Sequence, residues 1–254
     1  MIHADTLSLT PSTLSRHDCH RLTTIRDFIR WGATQLLSAG VYIGHRMDNA
    51  FDEARFLVYQ ALSLPPDLDA DWLSSAVTLA EAEQIQRWIV ERVKTRKPAA
   101  YITGSTWYAG MKFIVNENVL VPRSPFAELI ARGFDDWVDL DACERVLDLC
   151  TGSGCIGIAS LQALPIADID LVDISSEALA VAEQNIALHG VEHRVTAIQS
   201  DLFANLQDRQ YDLILSNPPY VDASEIAEMP AEFHHEAMFG LGGGNDGDVL
   251  VRYI

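Results

Sequence analysis

The sequence has few cysteines, few positive charges and no long apolar run. Its four cysteines among 254 residues are too few and too scattered for a disulfide framework, which favours a reduced, cytoplasmic setting. They are Cys19, Cys143, Cys150 and Cys155. The longest uncharged stretch, 149–167, is interrupted by glycines, serines and a proline, so we expect no membrane span. No charged leader followed by an apolar run opens the chain, so we expect no secretory signal.

The shortage of positive charge concerns mainly the second part of the chain. The formal net charge is -18, from 18 Lys and Arg against 36 Asp and Glu. Residues 1–104 carry 11 basic and 12 acidic side chains, whereas residues 105–254 carry 7 basic and 24 acidic ones. Such a surface repels a phosphate backbone and attracts a basic partner. We therefore expect a basic protein partner and no membrane partner.

Apolar residues recur at helical spacing in three segments of the N-terminal third. Each segment ends at a glycine or before a proline, and Thr78 and Glu81 have the spacing of a capping box. The segments are 24–40, 48–64 and 78–97. Three such helices predict a small bundle over residues 1–104, which either recognises a partner or only packs.

A change of pattern follows the predicted bundle. Residues 105–108 and 111–115 alternate apolar and polar side chains around the turn Ala109-Gly110, which predicts a β-hairpin. We expect this hairpin to belong to a linker over residues 105–123. A third region, 124–254, then contains the remaining elements.

Short apolar segments alternate with helical ones from residue 145 onwards. Strands are predicted at 145–149, 169–172, 195–199 and 211–216, and helices at 156–164 and 177–189. This alternation predicts an α/β fold with a parallel, Rossmann-like sheet and right-handed crossovers. Ligands of such sheets bind beyond the carboxyl ends of the strands.

A glycine-rich segment follows the first of these strands. Gly152, Gly154 and Gly157 match the spacing G-x-G-x-x-G, which dinucleotide-binding enzymes share. Asp148, four residues before Gly152, favours a ligand that carries an amino group or a positive charge over a pyrophosphate. S-adenosylmethionine carries both an amino group and a sulfonium.

Two further carboxylates follow the next two strands. Asp173 ends the second strand, where a carboxylate can accept hydrogen bonds from both ribose hydroxyls. Asp201 and Leu202 follow the third strand. Asp201 can accept a bond from an adenine amino group, and Leu202 can cover the ring.

The most specific motif is Asn217-Pro218-Pro219-Tyr220, directly after the fourth strand. The two prolines fix two φ angles and leave their carbonyls free as acceptors. These acceptors and the Asn217 side chain can hold both hydrogens of a planar amide and aim its nitrogen at a methyl donor. Tyr220 can stack on the amide plane. The motif therefore indicates methyl transfer to an amino or carboxamide nitrogen.

Together these motifs resemble those of the HemK-like protein-glutamine methyltransferases. The resemblance starts at about Ile25 and includes residues 98–104, 119–130, 146–157 and 216–220. Cys150, and the sequence Pro-Arg-Ser-Pro at 122–125, look like the branch that modifies the third protein of the large ribosomal subunit rather than the release-factor branch.

The resemblance implies a class I methyltransferase that uses S-adenosylmethionine to methylate the N(5) atom of a glutamine in a basic ribosomal protein. Nucleic acid would then be contacted only incidentally, as ribosomal RNA, and the N-terminal helices would select the substrate. Asn217, Pro218, Pro219 and Tyr220 would hold the glutamine amide. The methyl donor would be surrounded by Thr151, Gly152, Ser153, Gly154, Asp173, Leu202 and Asn217.

Several expectations remain open at this point. The family fold has seven strands and only four are predicted here, so we expect a C-terminally incomplete domain whose fourth strand forms an exposed edge. Such an edge can pair with a second copy in a homodimer.

The eight histidines do not cluster with cysteines, so we expect no metal site. The alternative functions are a release-factor glutamine methyltransferase, an amino-methylating DNA or RNA enzyme, a nicotinamide-dependent oxidoreductase and a non-enzymatic ribosome-binding protein.

Overall fold

The computed structural model describes residues 22–45, 47–134, 137–237, Gly240 and Gly242. The chain divides into two compact units, Met1–Thr103 and Gly104–Ile254. The hairpin that the sequence predicts as part of a linker falls within the second unit. Cys19 lies outside the described residues.

Helices make up the described part of the first unit. They are α1 (Ile25–Ser38), α2 (Ala50–Ala61), α3 (Leu79–Thr95) and α4 (Ala99–Thr103), with a 3-10 helix at Ala70–Ser74. The three predicted helices are confirmed, while α4 and the 3-10 helix have no clear sequence period. Capping boxes at Thr24 and Thr78 satisfy the free amides that begin α1 and α3.

The core of the first unit forms where α1, α2 and α3 meet. Phe28, Leu57, Ile85 and Ile89 are fully buried there. Gly32 permits the close approach, because a Cβ atom at this position would lie 2.9 Å from Cδ1 of Ile89. Amphipathic helices of this kind are stabilised mainly by burying their shared apolar faces.

The second unit contains a two-stranded hairpin and a four-stranded sheet. The hairpin pairs β1 (Ser105–Tyr108) with β2 (Met111–Ile114) in antiparallel register. The remaining elements, in chain order, are α5 (Phe126–Ala131), β3 (Arg145–Leu149), α6 (Cys155–Ser160), β4 (Asp168–Asp173), α7 (Ser176–His189), β5 (Val195–Gln199), β6 (Leu213–Ser216), α8 (Ala223–Glu228) and a 3-10 helix at Ala231–His235.

All four strands of the larger sheet are parallel, in the order β5-β4-β3-β6. Val146, Ile169 and Leu171 pack on one face with Ile158 and Leu164, and Leu147, Leu149 and Val172 pack on the other with Leu206. This arrangement confirms the Rossmann-like α/β prediction. It also brings the carboxyl ends of β3, β4, β5 and β6 to one edge of the sheet.

The boundaries of α6 differ from the prediction. The sequence predicts a helix over 156–164, but α6 ends at Ser160 and turn-type hydrogen bonds such as Leu164 N–H to Ser160 O follow. Pro165 disfavours helical geometry in the residue before it, which explains why the helix does not continue to Leu164.

In the described part of the chain, β6 has one strand partner, β3. An isolated parallel bridge also joins Val221, just beyond β6, to Gly242. None of the described helices combines the length and hydrophobicity that crossing a membrane requires.

Candidate active site

A cavity of about 750 Å³ lies in the second unit, at the carboxyl ends of the parallel strands. Residues 149–153, 172–178 and 200–202, which lie at or just beyond the carboxyl ends of β3, β4 and β5, form one wall, which we call the strand wall. Residues 117–124 with Ala237, Gly240 and Gly242 form the other, which we call the segment wall. Asn217 and Pro219, directly after β6, also line the cavity, as do Cys155 and Ile156.

The loop after β3 is held in a tight turn by residues with positive φ. Cys150, Gly152 and Gly154 have φ angles of 61°, 56° and 78°. Nothing lies within 4 Å of a Cβ atom built on Gly152, which lines the cavity. At Gly157 an added Cβ atom would lie 2.3 Å from Cδ2 of Leu171. Gly152 thus leaves space for a ligand, while Gly157 permits close packing of α6 on the sheet.

Asp148 lies beneath this loop and outside the lining of the cavity. It is fully buried, and its Oδ2 atom accepts hydrogen bonds from Thr151 Oγ1 at 2.6 Å and from the Gly157 amide at 2.9 Å. Its Oδ1 atom is buried with no hydrogen-bond partner among the described residues. Burial raises the pKa of Asp148 to about 6, although the two hydrogen bonds oppose this shift. The predicted ligand residue therefore supports the loop from behind.

Asp173 joins the loop to the end of β4. Its Oδ2 atom accepts a hydrogen bond from the Gly152 amide at 2.9 Å, and its Oδ1 atom accepts one from the Ser175 amide at 3.0 Å. Asp173 lines the cavity, and so do Asp201 and Leu202 after β5. The structure thus places these three predicted residues on the strand wall, with Thr151, Gly152 and Ser153.

The Asn217-Pro218-Pro219-Tyr220 motif is divided between the cavity and its surroundings. Asn217 and Pro219 line the cavity, whereas Pro218 and Tyr220 do not, and Tyr220 is 63% exposed. The preceding residue, Ser216, donates a hydrogen bond from its hydroxyl to the Leu149 carbonyl at 2.9 Å. This bond fixes the start of the motif against the end of β3. Gly154 also lies outside the lining.

Asn185 is a buried residue that the sequence reasoning missed. It is fully buried in α7, and its Nδ2 atom donates to the Ser153 carbonyl at 2.9 Å and to the Ile114 carbonyl at 3.0 Å. Its Oδ1 atom accepts from the Ile114 amide at 2.7 Å. Asn185 therefore connects the hairpin to the glycine-rich loop. An asparagine inside a helical segment gives no sequence signal of such a role.

The sequence motifs also do not predict the segment wall as part of the site. The guanidinium of Arg123 donates two hydrogen bonds to the Glu236 carboxylate, at 2.7 and 2.8 Å. These residues are separated by 113 positions, so no local pattern connects them. The Pro-Arg-Ser-Pro sequence at 122–125, which contributes to the family resemblance, is the sequence feature that points to this segment.

The cavity favours a ligand without several negative charges. Its described lining contains the acidic residues Glu117, Asp173, Glu177 and Asp201, whereas its one basic residue, Arg123, is paired with Glu236. Burial raises the pKa of Cys150 and of Cys155 to about 12, so both thiols are neutral and poor nucleophiles near neutral pH. Among the described residues, no group of three His, Cys, Asp or Glu is placed to hold a metal ion.

The residues of the strand wall fit S-adenosylmethionine. An open position at Gly152, a carboxylate at Asp173 and an acidic lining suit a ligand with ribose hydroxyls and positive charge. A dinucleotide would instead bring a pyrophosphate towards these carboxylates, which is electrostatically unfavourable. The fit thus opposes the oxidoreductase alternative.

Comparison with known proteins agrees with this chemistry. The family described as "Methyltransferase small domain" matches residues 133–244. The catalytic domain of hMettl16, solved with an RNA hairpin, superposes with a TM-score of 0.47 and 14% identity over 77% of this chain and 70% of that one.

Two curated relatives are much more similar in sequence. A ribosomal protein uL3 glutamine methyltransferase of Francisella tularensis is 46% identical over 92% of this chain and 75% of its own length. One of Bordetella pertussis is 44% identical over 95% of this chain and 81% of its own length. The resemblance inferred from the motifs is confirmed, and the chain belongs to the ribosomal protein uL3 glutamine methyltransferase family.

Proposed function

We propose that this protein transfers a methyl group from S-adenosylmethionine to the N(5) atom of a glutamine side chain in ribosomal protein uL3. The observation that carries the proposal is that one cavity is lined both by the glycine-rich loop and by Asn217. The first is suited to the donor and the second to a carboxamide. The names of the two relatives supply the class of acceptor.

The acceptor nitrogen presents the chemical difficulty of this reaction. A carboxamide nitrogen is a poor nucleophile, because its electron pair is delocalised into the carbonyl. S-adenosylmethionine, when bound, supplies a methyl carbon activated by the adjacent sulfonium. Asn217 and the carbonyls of the proline pair would accept the two amide hydrogens and orient the nitrogen towards that carbon.

No strong base is needed in this scheme. Once alkylated, the amide nitrogen is positively charged and very acidic, so it releases its proton to water. No described residue that lines the cavity is a histidine. Orientation and electrostatic stabilisation by fixed acceptors would therefore be the main contributions of the protein.

The acidic second part of the chain supports a basic protein as acceptor. Residues 105–254 contain 24 acidic and 7 basic side chains, and ribosomal proteins that bind RNA carry the opposite charge. The helical unit is proposed to select that protein, with domain boundaries near residues 104 and 123. A homodimer through the edge of β6 stays a prediction.

Two other acceptors are weaker candidates. The release-factor alternative shares the chemistry, but both curated relatives described above carry the uL3 name. Duplex DNA or RNA would need unpaired Lys or Arg near the cavity, and Arg123, the basic residue of its described lining, pairs with Glu236.

Donor binding and methyl transfer can be tested separately. Calorimetry with S-adenosylhomocysteine should show binding to the isolated protein and weaker binding to Asp173→Ala. Incubation with tritiated methyl donor should then label purified uL3, but neither a release factor nor duplex DNA. No heat of binding would reject the cofactor assignment, and labelling of DNA in place of uL3 would reject the acceptor assignment.

A further inference from the structure

An ion pair holds the segment wall of the cavity. The Glu236 side chain has no exposed surface, and it accepts two hydrogen bonds from Arg123 at 2.7 and 2.8 Å and one from the Val121 amide at 3.3 Å. The guanidinium of Arg123 lies 5.4 Å from the centre of the Phe233 ring. Arg123 is thus held by a bidentate ion pair with Glu236 and by a cation–π contact with Phe233.

This pair joins two parts of the chain that share no strand or helix. Residues 117–124 have no regular secondary structure, and Glu236 follows the short 3-10 helix Ala231–His235. Since neither part belongs to the sheet, hydrogen bonds between strands do not fix their positions. The ion pair and the hydrogen bond from the Val121 amide connect the two parts directly.

Two further contacts lie between the segment wall and the neighbourhood of the Asn-Pro-Pro-Tyr motif. Beyond Glu236, a Cβ atom built on Gly240 would lie 3.7 Å from Cβ of Leu120, so these two residues lie close together. Gly242 then forms a parallel bridge with Val221, the residue after the motif. The segment wall therefore adjoins the motif, while the strand wall carries the predicted donor residues.

We propose that Arg123 and Glu236 are positioning residues that place the acceptor side of the cavity for methyl transfer. This inference rests on the proposed function and deepens it. The buried carboxylate needs its partner, because an unpaired buried charge is costly. Lysine cannot replace arginine here without loss, since an ammonium group provides no planar fork for two parallel hydrogen bonds.

The test is the variant Arg123→Lys, with Glu236→Gln as the second half of the pair. Displacing the segment wall should lower kcat/KM for uL3 on the order of 10²-fold. The dissociation constant of S-adenosylhomocysteine should change less than about threefold, because the strand wall does not depend on the pair. Steady-state kinetics with purified uL3, and calorimetry with S-adenosylhomocysteine, measure the two quantities.

Arg209→Lys is the matched control. Arg209 also donates to a carboxylate in the second unit, Asp170 at 2.6 Å, but neither residue lines the cavity. This variant should leave kcat/KM for uL3 unchanged. The melting temperatures of both variants should also be measured. If they are lowered equally, a loss of kcat/KM in Arg123→Lys alone cannot be due to lower stability.

The outcomes separate this inference from the proposed function. If the unmodified protein fails to methylate uL3, the proposed function falls. If it methylates uL3 and Arg123→Lys keeps its kcat/KM, the positioning role is wrong. The role is equally wrong if Arg209→Lys loses as much activity as Arg123→Lys, or if donor affinity falls in parallel with kcat/KM.

Discussion

The two walls of the cavity are built in different ways. The strand wall follows directly from β3, β4 and β5, whose backbones are joined by parallel pairing. Its loop is fixed further by the Gly152 amide, which donates to Asp173, and by Asn185, which donates to the Ser153 carbonyl. The segment wall belongs to no sheet, and the contacts that hold it include the Arg123–Glu236 pair, the Val221–Gly242 bridge and a hydrogen bond from the Tyr108 hydroxyl to the Ser124 carbonyl at 3.3 Å. Donor and acceptor sides should therefore respond to different substitutions.

The largest expected effect is on the acceptor side, at Asn217. The variant Asn217→Ala removes the side-chain acceptor that we propose for the glutamine amide. We expect kcat to fall about 10²–10³-fold, which corresponds to about 3–4 kcal/mol of activation free energy. Asn205→Ala is a suitable control, because Asn205 lies outside the lining and donates to the Gln199 carbonyl at 2.8 Å. Equal kcat values for the two variants would remove Asn217 from the mechanism.

A pH effect should identify the buried carboxyl group beneath the strand wall. Burial raises the pKa of Asp148 from 3.8 to about 6, so the fold favours its neutral form. The stabilisation of that form is complete below about pH 4 and is lost as the pH rises through about 6. The asparagine side chain of Asp148→Asn is neutral at every pH, so the stability of this variant does not change with the titration of residue 148.

In donor-free protein, the free energy of unfolding of the original chain relative to Asp148→Asn should therefore decrease by about 3 kcal/mol between about pH 3 and about pH 7. Urea denaturation at both pH values measures the difference. A difference that is independent of pH would show that Asp148 is not held in a desolvated site.

Asn185 tests the link between the hairpin and the donor loop. The variant Asn185→Ala leaves the amide and carbonyl of Ile114 and the carbonyl of Ser153 without this partner. We expect a loss of about 2–3 kcal/mol in the free energy of unfolding. The affinity for S-adenosylhomocysteine should also fall, while KM for uL3 stays near its original value. The opposite pattern, with donor affinity kept and KM raised, would contradict the division between the walls.

The smallest effect concerns a single added methyl group in the donor loop. Gly152 and Gly190 have similar φ angles of 56° and 64°, and neither has an atom within 4 Å of an added Cβ. Both Gly152→Ala and Gly190→Ala should therefore lose about 1 kcal/mol of stability from backbone strain. Only Gly152→Ala should weaken binding of S-adenosylhomocysteine, because Gly190 caps α7 and lies outside the lining. Equal binding by both variants would mean that Gly152 does not face the donor.

The strand wall could be predicted from sequence because its signals are local. The apolar run 145–149 is strand β3 with the predicted bounds, and the glycines after it form the predicted turn. Asp173 follows from the same reasoning, since the end of a buried parallel strand is a known place for ligand residues. Asp148 shows the limit of spacing, which could not distinguish a residue facing a ligand from one supporting the loop.

The segment wall could not be predicted because its contacts are long-range. Arg123 and Glu236 are far apart in sequence, and each has an ordinary local environment of turn and loop residues. Asn185 likewise acts across the fold, between α7, the hairpin and the loop. Periodicity and motif spacing describe neighbours along the chain, whereas these roles depend on neighbours in space.

The most direct test of the account is to locate the transferred methyl group on uL3. Purified uL3 treated with this protein and S-adenosylmethionine would be digested and sequenced by tandem mass spectrometry, with Asn217→Ala as the parallel reaction. The account predicts one added methyl group on the side-chain amide of a glutamine, and none with Asn217→Ala. A methyl group on lysine, arginine or a backbone nitrogen, or an unchanged yield with Asn217→Ala, would contradict it.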